Sequence, residues 1–197
     1  MRMNKLETWA MNNPIRELIQ RHFEAPRLLS MGGSVDGALA LEVGCGRGVG
    51  VEIIMDRFGA SQVDAFDLDA EMVERARERL RNRPGVRLWV GDVTKIESPD
   101  AHYDAVFDFG IIHHVPEWRE ALAEIYRVLV PGGRFFAEEV LSDIIVHPVC
   151  RWFLEHPQQD RFDANEFCRA LTDTGFVSIR TRIHSTHRAW CVAEKPM

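Results

Sequence analysis

An α/β fold built on one doubly wound, mostly parallel sheet is predicted by three features of the chain. Short apolar runs alternate with amphipathic helical patterns from Ala38 to Val140, the rhythm of a sheet covered by helices on both faces. A glycine-rich turn, Gly44-Cys45-Gly46-Arg47-Gly48, follows the first of those runs. The last two apolar runs are joined by a turn too short for anything but antiparallel neighbours.

Asn13-Pro14 reads as the N-cap and first residue of an N-terminal helix. Ile15, Leu18, Ile19 and Phe23 give it apolar spacing until Pro26 interrupts the pattern, and Gly32-Gly33-Ser34 is a break. ALALEV (38–43) is the first strand. Val51, Ile54, Met55 and Phe58 then mark one face of a helix. VDAF (63–66) is the second strand, and Asp69 caps a helix with Val73, Ala76 and Leu80 on its buried side. VRLWV (86–90) and YDAVF (103–107) are the third and fourth strands. The helix carrying Ala121, Leu122, Ile125, Val128 and Leu129 is stopped by Pro131-Gly132-Gly133, and RFFAEEV (134–140) is the fifth strand. After a less regular stretch, Asp163-x-x-Glu166 opens a helix with a capping box, and Gly175 ends it. Strands near 176–183 and 188–194 bring the expected total to seven. The whole chain reads as one domain: an N-terminal helical cap (1–34), a core (38–140), a segment able to cover a substrate (141–162) and a closing helix with a strand pair (163–197).

Composition narrows the function. The 197 residues, 46% hydrophobic and 27% charged, suit an ordinary globular protein with a substantial core. A formal charge of −6 argues against a nucleic-acid partner. Arginines recur at every second position from Arg75 to Arg83, but alternate residues do not share a helix face. Glu71, Glu74 and Glu78 lie three or four positions from them, as in a solvated, ion-paired helix. No apolar run approaches the roughly 20 residues that span a bilayer, and the first residues lack the apolar core of a signal peptide. The mature chain is therefore expected to start near Met1. Cys45, Cys150, Cys168 and Cys191 stand singly, which suggests free thiols in a reducing cytoplasm.

The glycine turn lies between a predicted strand and a helix, where exposed backbone amides can meet a ligand. It is not the dinucleotide fingerprint GxGxxG, because Val49 occupies the third glycine position, and no GK[ST] follows. Asp67 ends the second strand, where a carboxylate can accept both hydroxyl protons of a ribose; simple surface placement or an early helix cap is the competing reading. Asp92, after the third strand, is placed either to meet an adenine amino group or to serve as a turn aspartate.

LALEVGCGRGVG, VDAFDLDAEMVERAR, VGDV, YDAVFDFGIIHHVPEW and RVLVPGGRFFAEEV follow one another in the order and spacing of the class I S-adenosylmethionine-dependent methyltransferases. The chain most resembles their small-molecule type 11, or UbiE-like, group over about residues 39–140. The resemblance implies a Rossmann-like fold, S-adenosylmethionine as cofactor and S-adenosylhomocysteine as product. It implies that Glu42, Gly44, Cys45, Gly46 and Gly48 face the methionine part and that Asp67 holds the ribose. Leu68, Asp92 and Val93 would border the adenine. Asp108, Phe109 and Gly110 would offer backbone atoms to the methionine amino group. The absent third glycine then has a reason, since this cofactor carries no pyrophosphate.

The stretch DFGIIHHV (108–115) is left to explain. A kinase reading fails because no HRDxxxxN loop exists. A metal reading fails because neighbouring histidines on extended backbone point to opposite faces, with no further ligand at metal spacing; no metal is expected. Lining the methyl-transfer cleft is the remaining reading. His114 is the candidate general base or substrate-orienting group, with His113 second, and a packed histidine bonded to backbone is the alternative for each. Of Glu138 and Glu139, one should be paired in a helix layer, so only one can reach substrate, and Glu139 is the candidate. His147 and Trp152, with Phe153, His156 and Phe162, could cover an acceptor, or could simply pack on the sheet. The N-terminal helix is the other region able to close the pocket. The motif after the fourth strand is not the [ND]PP[YF] of amide- and adenine-amino methyltransferases, which favours a small organic acceptor. A nicotinamide oxidoreductase and a cofactor-binding inactive subunit are the competing functions. Oligomeric state is not legible.

Overall fold

The apolar runs pair into one seven-stranded sheet of order β3-β2-β1-β4-β5-β7-β6 in a computed structural model that describes residues 14–141, 162–184 and 188–197. The strands are β1 (Leu39–Val43), β2 (Gln62–Asp67), β3 (Val86–Val90), β4 (Tyr103–Phe109), β5 (Leu129–Val140), β6 (Val177–His184) and β7 (Arg188–Glu194). All neighbours among β1 to β5 are parallel, and β7 lies antiparallel between β5 and β6. The chain moves outward from β1 to β3 and returns on the other side of β1 as β4. Strand order therefore reverses between β1 and β4, the place where a crevice opens beyond the carboxyl ends.

Helices α2 (Ala25–Gly32), α3 (Val49–Phe58) and α4 (Ala70–Leu80) cover one face, and α5 (Trp118–Val128) and α6 (Ala164–Thr174) cover the other. Alternation along β4 and β5 sends Phe107 and Phe136 to the first face and Val106, Phe135 and Ala137 to the second. Phe107 and Phe136 stack at 4.6 Å, with Phe58 of α3 edge-on to Phe107 at 4.8 Å. The same alternation sets Glu138 and Glu139 on opposite faces. Asp69 caps α4 through Glu71 N, and the Asp163–Glu166 capping box is formed on α6. On α4, Arg75 pairs with Glu71 and Arg77 with Glu74, as the spacing predicts, whereas Arg79, and Arg83 just past the helix, reach other elements.

Two boundaries differ from expectation. Pro26 does not end the N-terminal helix: α1 (Pro14–Ile19) passes through a π-turn, Gln20–Glu24, into α2 with Pro26 in its first turn. A proline at that position forfeits no required hydrogen bond, and the wide turn before it absorbs the mismatch. At the other boundary, α5 stops at Val128, and Pro131-Gly132-Gly133 lies inside the irregular start of β5, where the pairing register shifts between Tyr103 and Ala105. Lys195 Nζ makes this junction by donating to the carbonyls of Tyr126 and Leu129 at 2.8 and 2.7 Å.

Candidate functional site

The turn after β1 folds back onto the end of β2. Gly44, Gly46 and Gly48 have φ of +71°, +49° and +82°, values that L side chains adopt only with strain. A side chain at Gly44 would also lie 2.5 Å from Ile111. Cys45 N donates to Phe66 O, and Asp67 completes the tie: its Oδ2 accepts from Gly46 N and its Oδ1 from Asp69 N, both at 2.9 Å. Asp67 thus braces two loops as well as facing the crevice.

The crevice has two lobes that share Gly44, Asp67 and Ile111. One, of about 170 Å³, is lined by Leu68, Asp92, Val93, Gly110 and His114 among others. The second, of about 90 Å³, is lined by Glu42, Gly46, Phe109 and the polar side of the N-terminal helix through Arg16, Glu17 and Gln20. Sequence reasoning named this helix as a possible cover but not these residues. Only their place in the lobe that Glu42 also lines reveals them.

Three acid groups surround the turn. Glu42 is 2% exposed, accepts from Val51 N at the start of α3, and leaves Oε2 with no partner among the described residues. Burial, then the neighbouring Asp67, pushes its carboxyl well above the usual range. Gly50 makes room for it, since a Cβ there would overlap Glu42 Oε1. Burial also raises Asp67. Asp108, wholly buried, folds the end of β4 by accepting from Gly110 N at 3.0 Å and Ile111 N at 2.9 Å. Burial and the nearby Glu139 hold it well above the carboxylate range. Cys45 is buried and its thiol is pushed up, first by burial and then by Glu42, so it is a wall of the site with no thiolate character.

Glu138 and Glu139 divide as their alternation requires. Glu138 joins Glu24, Arg16 and Arg188 in a square of ion pairs whose two carboxylates are buried and whose Arg188 corner is part-exposed, Arg16–Glu138 at 3.1 Å and Arg188–Glu138 at 2.8 Å, with both arginines also on Glu24. Glu139 turns to the other face, where its Oε1 accepts from Ile112 N at 2.8 Å and its Oε2 meets His113 Nδ1 at 2.5 Å. Burial pushes each of these two carboxyls up to about 7. Glu139 is thus fully engaged beneath the crevice and has no surface toward it. Its predicted contact with substrate has no geometric support, because both oxygens are held by the following turn.

The two histidines are not on extended backbone. Ile112–His114 is a 3₁₀ turn, so the rings lie side by side with centroids 4.1 Å apart instead of pointing to opposite faces. Their environments still differ: His114 lines the first lobe, whereas His113 is anchored on Glu139. His147 and Trp152 lie outside the described residues. Phe162 is buried against Trp118 and Phe167 and packs in the core. Among the described residues no group of three or more metal-ligating side chains converges, and no helix is long and apolar enough to cross a membrane.

Residues 41–137, which carry all of the first lobe and most of the second, match the methyltransferase domain family. The chain is 31% identical over 139 residues, 71% of its length, to a fatty-acid O-methyltransferase of Mycolicibacterium smegmatis. It is 30% identical over 116 residues, 59% of its length, to malonyl-[acyl-carrier protein] O-methyltransferase 1 of Ilyobacter polytropus. It spans less than half the length of these relatives, 44% and 43% respectively. Its fold superposes with a TM-score of 0.80, at 18% identity and full coverage of both chains, on a chain from the complex between the Haloferax volcanii Trm112 methyltransferase activator and a methyltransferase.

Proposed function

We propose, from the premise that this chain belongs to the class I S-adenosylmethionine-dependent methyltransferases of the type 11 group, that it transfers a methyl group from S-adenosylmethionine to a small organic acceptor. The observation that carries the reading is the buried Glu42 Oε2, unpartnered among the described residues, beside Asp67 and the open backbone of Gly46. A buried acid oxygen without a donor is costly, and a cationic ligand in the second lobe would satisfy it. The residues therefore fit a ligand with a charged sulfonium-amino end and a ribose.

In this reading Glu42, Gly44, Cys45, Gly46 and Gly48 face the methionine end, and Asp67 accepts from the ribose hydroxyls while keeping its bonds to Gly46 and Asp69. Leu68, Asp92, Val93 and His114 form the adenine wall. Asp108, through its hold on the Gly110 and Ile111 amides, shapes the backbone next to the methionine amino group. The cofactor, when bound, supplies an already activated methyl group. What this chain contributes is alignment and exclusion of water. The relative named for fatty-acid O-methylation supports a small acceptor.

Titration calorimetry tests the reading. S-adenosylhomocysteine should bind and NADH should not. Asp67→Ala should weaken S-adenosylhomocysteine by about 10- to 100-fold, as expected for loss of charged hydrogen bonds worth about 1.5–3 kcal/mol. Tight NADH binding without S-adenosylhomocysteine binding would reverse the assignment.

A further inference from the structure

The second lobe has a wall that the strand-end motifs do not supply. We propose that Gln20, on the N-terminal helical segment, is a cofactor-binding residue that donates to the carboxylate of the cofactor's amino-acid end; the inference rests on the methyltransferase reading above.

Gln20 is 8% exposed and lines the second lobe with Glu42, Gly46 and Phe109. Its carboxamide makes no hydrogen bond among the described residues. A buried polar group left in that state costs about 1–3 kcal/mol. The cost is incurred although the same segment carries Ile15, Leu18 and Phe23, which are turned outward.

The backbone is shaped to place this amide. Ala25 N donates to Gln20 O and closes the π-turn Gln20–Glu24. In an unbroken α-helix, positions four apart drift around the axis by about 40° at each step. The wider turn takes up that drift, so Arg16 and Glu24 pair across eight residues with Gln20 midway between them. Inserted turns of this kind recur at functional sites. Ion pairs fix the segment on both sides of Gln20: Arg16 and Glu24 with Glu138 and Arg188, and Glu17 and Arg21 with Arg79 and Glu52. The amide is thus held in place by its neighbours while its own donors stay unused.

The chemistry of the lobe selects the group that Gln20 meets. Glu42 Oε2, without a partner among the described residues, suits the ammonium of an α-amino acid. The other end of such a group is a carboxylate, which only accepts and needs donors. Arg16 already serves Glu24 and Glu138. Arg47 lines the lobe and adds positive charge. Gln20 Nε2 brings two N–H donors without a charge that Glu17 or Glu42, on the same lobe, would capture.

Titration calorimetry with three probes tests the assignment. S-adenosylhomocysteine carries the whole amino-acid end, S-adenosyl-3-thiopropylamine lacks only its carboxylate, and 5′-methylthioadenosine lacks both charged groups. Gln20→Leu should weaken S-adenosylhomocysteine by about 10- to 100-fold, the effect of losing a hydrogen bond to a charged group. The other two probes should stay within about 2-fold of the wild type. Equal weakening of all three makes Gln20 a packing residue and overturns the proposal. So does weakening of the propylamine compound alongside S-adenosylhomocysteine, which assigns Gln20 to the ammonium, and so does unchanged S-adenosylhomocysteine. Gln20→Glu keeps the size and replaces the donors with a carboxylate, and it decides if Gln20→Leu does not fold. S-adenosylhomocysteine should bind that variant more weakly than the wild type, and the propylamine compound no more weakly; the reverse order overturns the proposal. A wild type that binds none of the three strikes the methyltransferase reading and this inference with it. A wild type that binds all three, with no change in either variant, strikes Gln20 alone.

Discussion

The N-terminal helical segment and α4 carry the same apolar spacing and bury opposite faces. On α4, Val73 and Ala76 are 0% exposed and Leu80 is 3%, with the charged side in solvent. On the N-terminal segment, Ile15, Leu18 and Phe23 are 69%, 56% and 58% exposed, while Gln20 and Glu24 are buried. Periodicity thus separates two faces of a helix without saying which one goes inward. The deciding factor is what the neighbouring elements present. α4 meets the apolar side chains of the sheet. The N-terminal segment meets Glu138 and Arg188 at the sheet end, and Glu52 and Arg79 from α3 and α4, where Glu17 and Arg21 complete a second square of ion pairs.

The contrast can be broken by substitution. Leu80→Ala, a deletion on the apolar face of α4, should cost about 2–5 kcal/mol. Glu24→Ala leaves Arg16 and the part-exposed Arg188 with Glu138 as their remaining partner and should destabilise by about 1–3 kcal/mol in urea unfolding, so an unchanged stability would mean that the square is solvated. Gly50→Ala inverts a rule, since alanine in a helix normally gains up to about 1 kcal/mol over glycine. Here the added carbon overlaps Glu42 Oε1, so stability and S-adenosylhomocysteine affinity should both fall, and a more stable protein with intact binding would refute the crowding. Phe23→Ser should stay within about 0.5 kcal/mol, as for other exposed positions.

The buried carboxyls sharpen the same comparison through pH. Glu138 and Glu139 are raised from an ordinary 4.5 to about 7, so the folded state binds protons more tightly than the unfolded state. Their contribution to stability is therefore greatest below about pH 4.5 and is lost as pH rises through about 7. Glu17, Asp56 and Glu124 are lowered by arginines and act in the opposite sense, losing stabilisation on acidification below their ordinary range. The denaturation midpoint should fall between pH 5 and pH 8, and less steeply in Glu139→Gln. An unchanged slope in that variant would place the effect elsewhere.

What could be read in advance follows from how local each feature is. The strand–turn–helix from Leu39 to Phe58, the Asp69 cap and the Asp163–Glu166 box are contiguous, and short-range backbone geometry alone dictates them. The turn side of the crevice is legible for the same reason, because Glu42 to Gly48 and Asp67 sit at the carboxyl ends of β1 and β2 and Asp92 lies just beyond β3. The rest of the site was not legible. Arg16, Glu24, Glu138 and Arg188 come from three distant parts of the chain and mean nothing singly. An extended reading sends His113 and His114 to opposite faces, whereas the 3₁₀ turn sets their rings side by side.

The sequence by itself determined the order of strands and helices, the capped helix ends and the bent glycine backbone, since these depend on steric preferences within a few residues. Only the tertiary structure decided which face of the N-terminal segment is buried and which glutamate of β5 holds a histidine. Those outcomes depend on the charge and shape that distant segments bring to the same few ångströms.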